Sequence, residues 1–192
     1  HNNKSLIDLN GLQNLRYLDN FYISQNDMMI NLVGLDSVTV LNQHCSVYEN
    51  YSFKNFYGLQ NVEQIHGSLG IGGNPSLVSF LGLEKMQILN SFDVYRNNSL
   101  KNFNGLNSLI TIEFNFSVFN NPSLENFEGL QNLINFGYAG ISIYNNATLC
   151  SINELNTNLR IIDYPSQLYI RDNPNLTCCK VADVIIHNNR MN

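Results

Sequence analysis

Apolar positions along this chain recur with a period of 23 to 25 residues, and each period holds two apolar segments. The dipeptide Gly-Leu marks the period most clearly, since its copies follow one another at intervals of 23, 24, 24, 23 and 24 residues. A fixed period of this length is the signature of a solenoid, in which each repeat packs against its neighbours. The copies are Gly11-Leu12, Gly34-Leu35, Gly58-Leu59, Gly82-Leu83, Gly105-Leu106 and Gly129-Leu130.

One apolar segment of each repeat alternates apolar and polar residues and is followed by Asn, as in Leu69-Gly70-Ile71 before Asn74. Alternation over a short run predicts a strand whose first and third residues face the core. Successive strands should pair in parallel at about 4.8 Å per rung. We expect the recurring Asn to form a buried ladder, because an amide both donates and accepts hydrogen bonds. Its members are Asn26, Asn50, Asn74, Asn97, Asn121, Asn146 and Asn173.

The other apolar segment, Ser-Leu-x-x-Phe before Gly-Leu, predicts a second short strand on another face, for example over residues 76–80 and 99–103. The fold class that follows is a β-rich solenoid of seven to eight turns with parallel sheets. We expect one repeat solenoid domain over residues 1–192, with repeats over about 5–174. Residues 148–192 form the predicted C-terminal capping region, because Glu154-Leu155 replaces Gly-Leu there and terminal repeats are atypical.

The residues over 59–77 read Leu-x-x-Val-x-x-Ile-x-Gly-x-Leu-x-Ile-x-x-Asn-x-x-Leu. This pattern resembles the receptor L-domain family, a divergent branch of leucine-rich repeats, and the resemblance covers about residues 5–175. It implies a right-handed, β-helix-like solenoid. The family occurs in ligand-binding ectodomains of growth-factor receptors and in microbial secreted or surface proteins, and this Asn-rich chain is more similar to the latter. The resemblance therefore implies an extracellular or cell-surface location.

The composition limits the kinds of partner that we expect for this chain. The chain has 192 residues, of which 13% are charged, and a formal net charge of −5 without any run of Lys or Arg. A nucleic-acid partner would favour a basic stripe, so none is expected. The apolar runs are too short for insertion into a membrane within this segment.

Catalysis and cofactor binding have little support in the sequence. The histidines fall in different repeat phases, and the outward acidic residues occupy different repeat positions, so no catalytic residue is assigned and no enzyme is expected. No Cys-x-x-Cys pair or calcium-binding nonapeptide is present, and we assign neither a metal site nor a cofactor. The residues weighed are His1, His44, His66, His187, Glu49, Asp93, Asp172, Cys178 and Cys179.

The cysteines favour a disulfide in the capping region. Aligning Leu149 with Leu176 places Cys150 one rung from Cys178, and we predict this bridge with Cys179 as the alternative partner. Such a bridge fits an oxidising, extracellular setting. Cys45 falls at an inward strand position and is expected to be a buried free thiol.

Six Asn-x-Ser/Thr sequons suggest a glycoprotein. Three of them coincide with the ladder positions Asn50, Asn97 and Asn146, where a glycan would be sterically hindered. The better candidates for glycosylation are Asn3, Asn115 and Asn175.

The outward residue after each strand Ile or Val is often aromatic, and these positions are our candidate ligand-binding residues. A cross-strand aromatic ladder that stabilises the sheet is the alternative. We expect a recognition or adhesion module that binds a protein or glycan through this face; the other hypothesis is a structural subunit of a self-assembling filament or surface layer. The candidates are Tyr48, Tyr95, Phe119, Tyr144 and Arg171, with Tyr22 and Tyr169 in the neighbouring outward row.

Overall fold

The computed structural model describes residues 1–136, 140–155, 160–161 and 167–176, and these residues form a parallel β-solenoid. Its strands join in one 12-stranded sheet in which every recorded pairing is parallel. No helix occurs in the described residues. The strands are β1 (Tyr17–Leu18), β2 (Phe21–Ser24), β3 (Val40–Leu41), β4 (Cys45–Tyr48), β5 (Gln64–Gly72), β6 (Ile88–Tyr95), β7 (Thr111–Ile112), β8 (Asn115–Phe119), β9 (Asn135–Phe136), β10 (Gly140–Tyr144), β11 (Arg160–Ile161) and β12 (Gln167–Arg171).

The sheet consists of two rows of strands that share β5 and β6. The first row runs β1-β3-β5-β6-β7-β9-β11, and the second runs β2-β4-β5-β6-β8-β10-β12. Within the described residues each row has seven rungs, which six complete turns of chain connect. The predicted β-rich solenoid is therefore confirmed, with a turn count close to the expected seven to eight.

The position predicted for the second strand is wrong. The Ser-Leu-x-x-Phe segment over 76–80 contains no strand, and the first row instead begins after Gly-Leu-x-x-Leu/Met, as at Ile88. The N–H of Val78 donates to Lys54 O in the preceding rung at 3.1 Å, whereas that of Phe80 donates to Asn104 O in the following rung at 2.8 Å. In a parallel strand, residues two apart bond to the same neighbouring strand, so donors at 78 and 80 that point to opposite rungs do not form a strand ladder.

Phenylalanine side chains fill much of the core in columns along the solenoid axis. Phe80 stacks on Phe56 and on Phe103, each with 5.6 Å between ring centroids and with interplanar angles of 4° and 10°. In a neighbouring column Phe92 stacks on Phe116 at 5.6 Å. All of these rings are fully buried, so the rungs share one continuous apolar core.

The predicted asparagine positions form a continuous hydrogen-bonded ladder beneath the bend that follows the second row. The backbone N–H of Asn74 donates to Asn97 Oδ1 at 3.1 Å. The Asn74 side chain donates from Nδ2 to Val47 O at 2.8 Å and to Gly72 O at 3.2 Å. Because each amide satisfies backbone groups of neighbouring rungs, the ladder fixes the register of the whole stack.

All seven ladder residues are buried, with exposures from 0% to 9%. The residue before each of them has a positive φ, from 55° at Glu49 to 67° at Gly73, which turns the following Asn side chain inward. Asn3 extends the ladder by one position, since its N–H donates to Asn26 Oδ1 at 2.9 Å. The side chain of Asn3 is itself exposed, unlike those of the seven ladder residues.

Candidate functional site

The outward side of the second row is the strand face, and its side chains form two main columns. The central column contains the residue two positions before the end of each strand, and the register pairs Gly70 with Asp93 and Asp93 with Ser117. The aromatic column lies beside it and contains the last residue of each strand. The central column is Tyr22, Ser46, Gly70, Asp93, Ser117, Ser142 and Tyr169; the aromatic column is Ser24, Tyr48, Gly72, Tyr95, Phe119, Tyr144 and Arg171.

The structure brings the five predicted ligand-binding residues together in the aromatic column. Tyr95 stacks on Phe119 with centroids 5.0 Å apart and an interplanar angle of 3°. Phe119 stacks on Tyr144 at 4.8 Å and 5°, and the Arg171 guanidinium lies over the Tyr144 ring at 5.0 Å. The ring centroids of Tyr48 and Tyr95 are 6.0 Å apart, and the two ring planes are tilted by 35° to each other.

This stacking decides how the aromatic column can bind a ligand. Parallel rings at such spacing cover one another's faces, as in a cross-strand ladder that stabilises the sheet. The rings of Tyr95, Phe119 and Tyr144 are half-buried, and we expect solvent to reach mainly their edges. The aromatic column therefore borders the central column like a wall. It does not offer a flat ring face on which a ligand could stack.

Two glycines of β5 interrupt both columns at the same rung. A Cβ on Gly70 would collide with the Tyr48 hydroxyl, and one on Gly72 would collide with the Tyr95 ring. The two tyrosines therefore lean from the flanking rungs into the space that the glycines leave. Apolar periodicity carries no signal for the direction in which the rings lean.

Asp93 lies at the centre of the strand face and is half-buried. Asn115 Nδ2 donates to Asp93 Oδ1 at 3.1 Å and to Ser117 Oγ at 2.6 Å. Burial raises the pKa of Asp93, while its hydrogen bonds with Ser117 and Asn115 act in the opposite direction. Burial is also the main cause of the raised pKa of Tyr48 and of Tyr95.

An open cleft of about 710 Å³ lies in the bend directly after these strands. Glu49, Gly73 and Arg96 line it, and they follow Tyr48, Gly72 and Tyr95 in the chain. Gln25 Nε2 donates to Glu49 Oε2 at 2.9 Å on one side of the cleft. The cleft lies beside the strand face, and both acidic and basic side chains line it.

The glycosylation candidates differ in environment. Asn3 and Asn175 are exposed, and Asn175 Nδ2 donates to Ala147 O at 2.8 Å. Asn115 is half-buried, and its Nδ2, the atom that would carry a glycan, is engaged by Asp93 and Ser117. Its structural part in the strand face is therefore to hold Asp93, which the sequon pattern did not indicate.

The predicted disulfide lies partly outside the described residues, because Cys178 and Cys179 belong to the segment 177–192. Cys150 is exposed, and its Sγ donates to Glu125 O at 3.3 Å. Cys45 is a buried free cysteine. Burial raises the pKa of its thiol to about 12, so the thiol stays protonated at neutral pH.

No protein-family model, curated protein or solved structure matches this chain. Among the described residues, no three or more His, Cys, Asp or Glu side chains are grouped to hold a metal ion. A search of the same residues finds no helix of the length and hydropathy that a membrane span requires. The candidate function therefore depends on the geometry of the strand face.

Proposed function

We propose that this protein is an extracellular or cell-surface recognition or adhesion module of the receptor L-domain type, which binds a protein or glycan through its strand face. The observation that carries the proposal is the arrangement of two parallel side-chain columns on that face, and we call the space over the central column the trough. The floor of the trough is the central column, where Ser117 and Ser142 have small, half-buried side chains, while the Tyr48 hydroxyl covers Gly70 and Ser46 is buried. The aromatic column forms one wall along it.

The dimensions of the trough suit an extended ligand that lies along the solenoid axis. Seven rungs at about 4.8 Å give a length of about 29 Å, which matches roughly nine residues of extended peptide. Tyr22 and Tyr169 stand at the two ends with 59% and 54% of their surface exposed. Exposed tyrosines are frequent anchors in recognition surfaces, because each presents apolar area and a hydroxyl.

Blocking the trough should abolish binding. In Ser142→Arg a long side chain would cover the floor without entering the core, since residue 142 points outward between Ile141 and Ile143. Gln87→Arg adds the same charge at an exposed position outside the trough and is the control. We would apply the wild type and both variants to glycan and peptide arrays and titrate the ligands that bind.

We expect Ser142→Arg to weaken binding of these ligands at least tenfold and Gln87→Arg to change it less than twofold. Equal binding by all three proteins would place the binding surface elsewhere and overturn the proposal. The absence of any bound glycan or peptide would also count against it.

The alternative is a structural subunit of a filament or surface layer. The observation that favours it is apolar surface on the first described rung, where Ile7, Leu12 and Tyr17 are 51%, 45% and 64% exposed. A second copy stacked there would cover this surface. Fibres that appear with rising concentration in light scattering and negative-stain images would favour this alternative, whereas a stable monomer would favour recognition.

A further inference from the structure

We infer that Asp93, Tyr48 and Tyr95 form a subsite for the ammonium group of a lysine, presented by an extended segment of a protein partner. The inference deepens the proposed function and rests on it, since the subsite lies within the trough. It specifies that the partner presents an ammonium group at the rung of Asp93.

The first argument is the charge distribution on the strand face. On the outward positions from β4 to β10, Asp93 is the one side chain with a formal charge. The ion pairs recorded in the described residues, Lys101–Glu125 and Arg171–Asp172, lie elsewhere. The recorded hydrogen bond to Asp93 Oδ1 comes from the neutral Asn115 amide at 3.1 Å, and neither recorded ion pair includes Asp93. A half-buried carboxylate without a cation is costly, and a ligand cation would offset this cost.

The second argument is the placement of the two tyrosines. Tyr48 leans so that its hydroxyl lies over Gly70, which is the residue paired with Asp93 on the next strand. Tyr95 belongs to the same strand as Asp93. Because Gly70 pairs with Asp93 on adjacent strands and Tyr95 lies two residues after Asp93 on the same outward face, both tyrosines are neighbours of Asp93. An ammonium has three donors, and the Asp93 carboxylate and a phenol oxygen can both accept hydrogen bonds from it.

The third argument is that the aromatic column already holds a cation at its other end. The Arg171 guanidinium lies 5.0 Å from the Tyr144 centroid, within the range of a cation–π contact. At Tyr95 one ring face is covered by Phe119 and the other lies over Gly72, so the ammonium would contact the phenol oxygen there and not the ring face. Arg96 influences Tyr95, yet it lies in the bend after the strand and forms no recorded ion pair with Asp93.

The stacked rings favour a peptide over a glycan as the carrier of the ammonium. A sugar would need the flat face of an aromatic ring, and the faces of Tyr95, Phe119 and Tyr144 cover one another. An extended peptide can instead lie along the small residues of the floor and direct one side chain toward Asp93.

The test uses two probes, the peptide acetyl-Ser-Gly-Ser-Lys-Ser-Gly-Ser-amide and the same peptide with its lysine acetylated on Nε. Both would be titrated by NMR into the wild type, Asp93→Asn, Tyr95→Leu and the control Glu63→Gln. Asp93→Asn and Glu63→Gln change the net charge equally, and Glu63 is exposed outside the trough. Amide spectra of each variant would verify that it is folded.

We expect Asp93→Asn to weaken binding of the lysine peptide at least tenfold, Tyr95→Leu about threefold to tenfold, and Glu63→Gln less than twofold. The acetylated peptide should bind the wild type and Asp93→Asn equally weakly. Equal losses in Asp93→Asn and Glu63→Gln would overturn the inference, because they would show an effect of net charge alone. Failure of the lysine peptide to bind the wild type would also overturn it.

The two proposals fail in different ways. If Ser142→Arg abolishes binding of the array ligands while Asp93→Asn does not affect the lysine peptide, the trough is the binding surface and the ammonium subsite is wrong. If a chitosan tetramer binds in an Asp93-dependent manner and the lysine peptide does not, a protein partner is excluded in favour of an amino sugar. If Ser142→Arg does not affect the array ligands and Asp93→Asn does not affect the lysine peptide, both proposals are wrong.

Discussion

Replacing Asn97 with Ala is expected to lower the free energy of unfolding by about 2–6 kcal/mol, because two buried backbone groups would lose their partners at about 1–3 kcal/mol each. The backbone N–H of Asn74 donates to Asn97 Oδ1 at 3.1 Å. Asn97 Nδ2 donates to Ile71 O at 3.1 Å. Both contacts are buried at the centre of the ladder, where water cannot replace the missing amide without a rearrangement of the bend.

The measurement is denaturant unfolding of wild type, Asn97→Ala and a control, Asn132→Ala. Asn132 is exposed, and its Nδ2 donates to Asn107 O at 2.7 Å on the opposite side of the repeat. Water can replace that hydrogen bond, so we expect the control to lose less than about 1 kcal/mol. Similar losses in the two variants would contradict the structural part assigned to the ladder.

Replacing Gly105 with Ala is expected to have an even larger effect and to prevent folding or cost well above about 3 kcal/mol. Gly105 has a φ of +108°, and a Cβ there would collide with the backbone carbonyl of Phe80 in the preceding rung. Because that rung is held by its own hydrogen bonds and by stacked phenylalanines, it cannot move away without loosening the core.

Gly11 provides a matched control for Gly105. It occupies the same repeat position with a φ of +110°, but no atom lies within 4 Å of the position that a Cβ would take. Gly11→Ala should therefore show the backbone strain alone, about 1–3 kcal/mol. Thermal and denaturant unfolding would compare the two variants. Equal destabilisation would show that the approach of neighbouring rungs does not explain the recurring glycine.

The sequence contained enough information for the repeat architecture and for the asparagine ladder. The Gly-Leu period defined the turn, and alternation such as Leu69-Gly70-Ile71 defined the strand and its inward side. The Ser-Leu-x-x-Phe strand was wrong because apolar spacing does not report the direction of backbone hydrogen bonds. The chain turns on both sides of this segment, since Leu77 N–H donates to Asn74 O at 3.1 Å and Leu83 N–H donates to Phe80 O at 3.0 Å.

Only part of the candidate site could be predicted from the sequence. Alternation placed Tyr95, Phe119 and Tyr144 on one outward column, and their adjacency follows from the period. It could not show that their rings stack face to face, because ring orientation depends on side-chain torsions and on neighbours. The hydrogen bond from Asn115 to Asp93 joins adjacent rungs, and a sequon offered no indication of it.

The central claim is that hydrogen bonds from side chains to backbone join the rungs into one unit and keep the strand face in register. Amide hydrogen exchange followed by NMR at Asn50, Asn74, Asn97 and Asn121 tests this claim most directly, since their N–H groups donate to side chains of the next rung. We predict that these amides exchange only through global unfolding, as slowly as the most protected strand amides. Exchange at the rates of an unstructured peptide would contradict the account.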